Sequence, residues 1–95
     1  MAFEKSLVNT IERPEINGIQ KIYKFDNDMG ASVIKHDYSY GGDQGLWELA
    51  VTQYEGEDWH INYNTPVTSD VEGYLSWEDV ENSLRKISEL EEGVY

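Results

Sequence analysis

Two alternating stretches flank the four residues Glu55-Gly56-Glu57-Asp58 and set the strongest constraint on the fold. From Leu46 to Tyr54, Trp47, Leu49 and Val51 point one way, while Glu48, Ala50 and Thr52 point the other. After the turn, Trp59, Ile61 and Tyr63 alternate with His60, Asn62 and Asn64. A period of two is the signature of a half-buried strand, apolar inward and polar outward. The apolar face made by Trp47, Leu49, Val51, Trp59, Ile61 and Tyr63 therefore needs a cover.

The cover is legible near the C-terminus. Trp77, Val80, Leu84, Ile87 and Leu90 recur at helical spacing and form one stripe. Ser76 followed by Asp79 is a near relative of the capping box, and Glu78 and Asp79 place negative charge where a helix dipole favours it. Gly93 is a plausible stop. Upstream, Ile19, Lys21, Tyr23 and Phe25 share one face of an extended segment. Asn27-Asp28-Met29-Gly30 tolerates turn geometry, and Ala31 to Tyr38 reads as the return strand.

The expected architecture is α+β: a four-stranded antiparallel meander over residues 19–64, covered on one face by a helix over 76–92. Residues 1–17 read equally as helix or strand. Phe3, Leu7 and Ile11 suit helical turns, Val8 and Thr10 suit a strand, and Pro14 ends the segment. Residues 67–75 read as an irregular connection that includes a short extended piece.

Size and composition bound the core. The chain has 95 residues, of which 22 are Leu, Ile, Val or Phe. Three Trp, seven Tyr and two Phe add to this burial. Each aromatic side chain can bury roughly 150–250 Å². One small domain with an aromatic-rich core is the expectation. The absence of cysteine excludes disulfides, thiolate metal sites and a Cys nucleophile. Met1-Ala2-Phe3-Glu4-Lys5 lacks the pattern of a signal peptide, and no run of residues is apolar enough to span a bilayer, so a cytoplasmic location is expected.

The charge is strongly uneven. The formal net charge is -12. Residues 1–35 hold five acids and five bases; residues 36–95 hold fourteen acids and only Arg85 and Lys86. Such a balance excludes ordinary nucleic-acid binding, which needs a basic footprint, and disfavours an anionic membrane surface. It suits either a solvated surface or a field that attracts a basic partner. In the extreme case the carboxylates imitate DNA phosphates.

Chemistry finds little support. Asp26-Asn27-Asp28-Met29-Gly30 resembles the start of a calcium loop but has Asp37 where the bidentate Glu belongs. His36-Asp37 and Asp58-Trp59-His60 are the two histidine neighbourhoods, and nothing in the pattern unites them as a metal site. The Gly41-Gly42-x-x-Gly45 loop does not open a helix and so is no phosphate cradle. No catalytic residue, metal or cofactor is expected.

Gly30-Ala31-Ser32-Val33-Ile34-Lys35-His36, Tyr38-Ser39-Tyr40-Gly41-Gly42, Gly45-Leu46-Trp47-Glu48-Leu49-Ala50-Val51 and Thr65 to Leu75 together resemble a small bacteriophage-encoded family of uncharacterised acidic proteins. The resemblance covers about residues 30–90. It implies an accessory protein acting in the host bacterial cytoplasm, by binding a basic nucleic-acid-binding or defence protein. The residues expected to meet that partner are Asp43, Glu55, Glu57, Asp58, Asp70 and Glu72, carried on turns and loops, with Tyr40 and Trp47 as aromatic anchors. Two other readings remain. One is a self-assembling component, such as a homodimer paired through sheet edges. The other is a protein that sequesters a signalling nucleotide in a basic pocket around Lys21, Lys24 and Lys35.

Overall fold

A computed structural model describes residues 3–37, 44–61 and 72–90. Its elements are β1 (Leu7–Arg13), β2 (Gly18–Lys24), β3 (Met29–Lys35), β4 (Trp47–Glu55), β5 (Asp58–Ile61), β6 (Glu72–Leu75) and α1 (Trp77–Ser88). All strand pairs are antiparallel, in the order β1-β2-β3-β4-β5. Strand β6 lies off this path and pairs with the start of β4, Trp47 opposite Leu75. The sheet curls into a half-barrel.

The expected α+β class and the C-terminal helix are present, but among the described residues the sheet has six strands rather than four. Residues 7–13 resolve the open choice at the N-terminus in favour of a strand, with short 3-10 turns at Glu4–Ser6 and Pro14–Ile16 on either side. The β-branched Val8, Thr10 and Ile11 suit extended geometry, and pairing along the full length of β2 outweighs the four-residue apolar spacing. The extended piece expected within 67–75 is β6.

One face of the sheet meets α1. Tyr23, Ala31, Val33, Leu49 and Val51 pack with Val80, Leu84 and Ile87 into the core, and Phe3, Leu7, Trp47, Leu75, Trp77 and Leu90 close its margins. The helix begins as the sequence indicates: Ser76 Oγ accepts from the Asp79 amide at 3.2 Å, and the Ser76 amide donates back to the Asp79 carboxylate at 3.1 Å. Its far end is held by a side chain that the sequence does not single out. Asn27 Nδ2 donates to the carbonyls of Ile87 and Leu90, both at 2.9 Å, while its Oδ1 accepts from the Met29 amide at 3.1 Å. The β2–β3 turn thus supplies the donors that the last carbonyls of a helix lack. The Phe25 amide donates to the Met29 carbonyl at 2.8 Å across the three-residue loop Asp26-Asn27-Asp28, and Asp28, at φ 61, takes the left-handed position that ends it.

The opposite face differs from the expectation. Trp59 and Ile61 do not join Trp47, Leu49 and Val51 beneath the helix. Trp59 pairs with Tyr54 and Ile61 with Thr52, so all four occupy the other face. The reason is parity. Gly56 and Glu57 make a two-residue turn between the paired residues Glu55 and Asp58, and such a turn sets odd residues opposite even ones. Gly56 takes φ 67, the positive value expected at the first central position of a type II′ turn. Tyr63, the third aromatic of that expected face, lies outside the described residues.

Candidate binding surface

The face turned away from α1 is concave, hollowed by a cleft that runs from β1 to β5, and no described helix covers its floor. Ile22, Ser32, Ala50, Thr52 and Tyr54 are all buried, although none of them belongs to the core under the helix. Tyr54 packs across this floor. The Tyr54 ring lies over Gly30 on the neighbouring strand, and its hydroxyl donates to the Tyr23 carbonyl at 3.3 Å. A Cβ on Gly30 would stand 2.9 Å from that ring, 3.0 Å from Thr52 Oγ1 and inside the contact distance of the Tyr23 carbonyl oxygen. Only glycine permits the crossing. Burial also pushes the Tyr54 phenol above its ordinary value of 10.0.

Beside this floor runs a cleft of about 240 Å³, lined by Val8, Asn9 and Ile11 of β1, Gln20 and Ile22 of β2, Tyr54, Glu57 and Trp59. Its rim is unusually apolar. Val8 is 57 % exposed and Trp59 39 %, and Ile61 on the same face is 37 % exposed. These are three of the four large exposed hydrophobic residues among the described residues; the fourth is Tyr74. Their concentration on one face distinguishes them from the scattered exposed apolar groups that any surface carries. Two polar features lie in the floor. Gln20 Nε2 donates to Ser32 Oγ at 2.9 Å, whereas Thr52 Oγ1 is buried and has no partner among the described residues.

The acids expected to meet a partner do not all gather here. Glu55, Glu57 and Asp58 form the exposed end of the β4–β5 hairpin, and Glu57 lines the cleft itself. Glu72 stands apart at the start of β6, half-buried, where it accepts from Ser83 Oγ of α1 at 3.4 Å. Trp47 also lies elsewhere, on the helix face. It meets Trp77 edge-on with ring centroids 5.1 Å apart and carries the Lys35 ammonium 4.6 Å from its ring centre. Asp43, Asp70 and Tyr40 are outside the described residues.

The three lysines considered as one basic pocket are divided between the two faces. Lys21 and Lys35 sit over the Trp47–Trp77 pair, Lys21 at 4.8 Å from the Trp77 ring. Lys24 lies over Tyr54 at 5.2 Å, and its Nζ donates to the Gly56 carbonyl at 3.4 Å. Lys24 therefore offsets part of the hairpin's charge, leaving its three carboxylates in excess.

Sequence reasoning missed Val8, Ile11, Ile22 and Tyr54 as one surface. A signal was present: Ile22 beside Tyr23, and Ala50 beside Val51, put apolar groups on both parities of β2 and β4. Such strands are buried on both faces. Among the described residues, no helix is long and apolar enough to cross a membrane. Comparison of the chain with protein-family models, curated proteins and solved structures finds no match.

Proposed function

We propose that this protein is a non-enzymatic binding module whose concave face receives a basic protein partner. One observation carries the reading: the exposed apolar rim and the acidic hairpin meet at the same cleft, with Glu57 and Trp59 both in its lining. An apolar centre bordered by charge is the usual composition of a protein–protein surface. The apolar side chains supply the desolvation energy, and the carboxylates supply steering and exclude acidic competitors. The wider field has the same sign, because no Lys or Arg occurs between His36 and Leu84. The resemblance to a bacteriophage family supports a partner drawn from the host's nucleic-acid-binding or defence proteins.

The test is capture from bacterial lysate by the tagged protein at low and high salt, read by mass spectrometry, beside the variant Glu55→Gln/Glu57→Gln/Asp58→Gln. A basic protein retained at low salt, released at high salt and lost from the variant is the expected result. Retention indifferent to both salt and the three substitutions would refute the role of the hairpin. The absence of any retained protein, together with one defined oligomer in sedimentation, would favour self-assembly.

A further inference from the structure

We infer that the partner enters the concave face as an added β-strand, paired antiparallel to β5 and alternating basic with apolar residues. The inference rests on the proposed docking of a basic protein and specifies its geometry. Strand β5 is the last in the sheet order, and no described strand pairs with its outer edge. All four of its residues are exposed. An open strand edge is a template for pairing unless it is blunted. The other two outer strands are irregular: β6 pairs with β4 alone, with a register shift between Trp47 and Leu49, and β1 shifts its register between Leu7 and Asn9. A bulge there twists the ladder and interrupts regular pairing.

The register of β5 dictates what would fit. Glu55 and Asp58 flank the two-residue turn and exchange the first pair of hydrogen bonds in such a hairpin. By alternation, the N–H and C=O groups of Trp59 and Ile61 point away from β4, toward an incoming strand. Residues of that strand opposite Trp59 and Ile61 would direct their side chains into the concave face. They would cover an apolar rim that the fold leaves in water. The residues of the other parity would lie on the opposite face, one facing His60 and the next facing Asp58 and its cross-strand neighbour Glu55. Two carboxylates directly opposite one another repel, and a lysine or arginine placed beside them relieves the repulsion. Apolar demand on one parity and cationic demand on the other define an alternating strand. Main-chain bonds to β5 give affinity, and the alternate side chains give selection, as in other cases of strand addition.

The experiment uses the full chain and a capped ten-residue peptide alternating lysine and valine. It is compared with a glutamate–valine counterpart and with two versions N-methylated on all valines or on all lysines. The lysine–valine peptide is expected to bind in calorimetric titration and to slow amide exchange at Trp59 and Ile61. Methylation of the valines, whose N–H groups face β5, is expected to weaken binding roughly tenfold or more, since it removes the donors that pair with the strand edge. Methylation of the lysines, whose N–H groups face outward, is expected to leave most of the affinity. The glutamate–valine peptide is expected not to bind. Equal binding by both methylated versions, or no protection at Trp59 and Ile61, would overturn strand addition. Hairpin-dependent capture of a basic protein would still uphold the proposed function. Failure of the lysine–valine peptide to bind would overturn the inference alone, and an additional failure of capture would overturn both. A dimer in sedimentation that protects the same two amides would assign the edge to a second copy and overturn the basic-partner inference.

Discussion

The two faces of the sheet bury comparable side chains by different means. Under α1, Val33, Leu49, Val51, Val80, Leu84 and Ile87 lose essentially all contact with water because a second layer lies over the first. On the concave face Ile22, Ala50, Thr52 and Tyr54 are buried although no described helix lies over them, and burial ends at Val8, Trp59 and Ile61. A layered face is complete within the chain. A curled face has a rim, and the rim is where the proposed partner would add to the fold. Stability should therefore depend most on the first face and binding on the second.

The largest effect should come from the layered face. Leu84 is fully buried between the helix and the sheet, so Leu84→Ala should lower the unfolding free energy by about 2–5 kcal/mol in chemical denaturation. A loss below about 1 kcal/mol would show that α1 is a lightly attached cover. Gly30→Ala probes the curled face by overpacking. The new methyl group meets a backbone oxygen as well as the Tyr54 ring, and backbone cannot swing aside. A loss of about 3 kcal/mol is expected, accompanied by greater exposure of Tyr54. If Gly30→Ala folds with undiminished stability, the ring does not lie over Gly30 as described.

Asn27 joins the β2–β3 turn to the layered face. Asn27→Asp keeps the acceptor for the Met29 amide but removes both donations to the end of α1. It also sets a negative charge against helix carbonyls that already carry partial negative charge. A loss of about 2 kcal/mol is expected, with Asn27→Ala less damaging than Asn27→Asp. The reverse ranking would mean that the turn, rather than the helix terminus, needs this side chain.

These three positions show what was legible. The helix stripe and the cap at Ser76 and Asp79 were readable because each is a local pattern with a fixed spacing. The strands were readable by alternation, apart from β1, whose mixture of spacings suited two structures. The position of Trp59 and Ile61 was not readable from alternation alone. Alternation says that two residues share a face of one strand, and only the turn says how that face relates to the next strand. Counting Glu55-Gly56-Glu57-Asp58 as a four-residue turn hides the flip; pairing Glu55 with Asp58 around two central residues reveals it. The candidate cleft was hidden for the same reason, since it joins β1 to β5 across the curl of the sheet. Asn27 was read as a turn former, which it is, but its bonds to Ile87 and Leu90 span sixty residues or more and leave no local trace.

Tyr54 gives a smaller and pH-dependent effect. Its folded value is raised by burial above 10.0, so the neutral phenol is the form the fold accepts. The stability linked to that neutral form is fully present below pH 10 and is lost as pH rises through the raised folded value, because the unfolded chain releases its proton first. Tyr54→Phe should cost about 1 kcal/mol near neutrality, through loss of the bond to the Tyr23 carbonyl. The variant should also lose less stability than the parent between pH 9 and 11, a difference measured by urea denaturation across that range. Identical alkaline limbs would place the phenol in water.

The smallest effect on stability is the sharpest test of the comparison. Trp59 and Ile61 are large, yet more than a third of each is exposed, and β5 contributes a single ladder of four paired residues. If the rim is reserved for a partner, Trp59→Thr/Ile61→Thr should lower the unfolding free energy by no more than about 1 kcal/mol per residue, because more than a third of each side chain already lies in water and threonine suits an exposed strand. The same substitutions should abolish capture of the partner, since they remove the apolar centre and leave Glu55, Glu57 and Asp58 untouched. A double variant that unfolds the protein would make the rim part of the core and erase the distinction between the faces. A stable double variant that still captures its partner would leave the acids of the hairpin, without the cleft, as the entire binding surface.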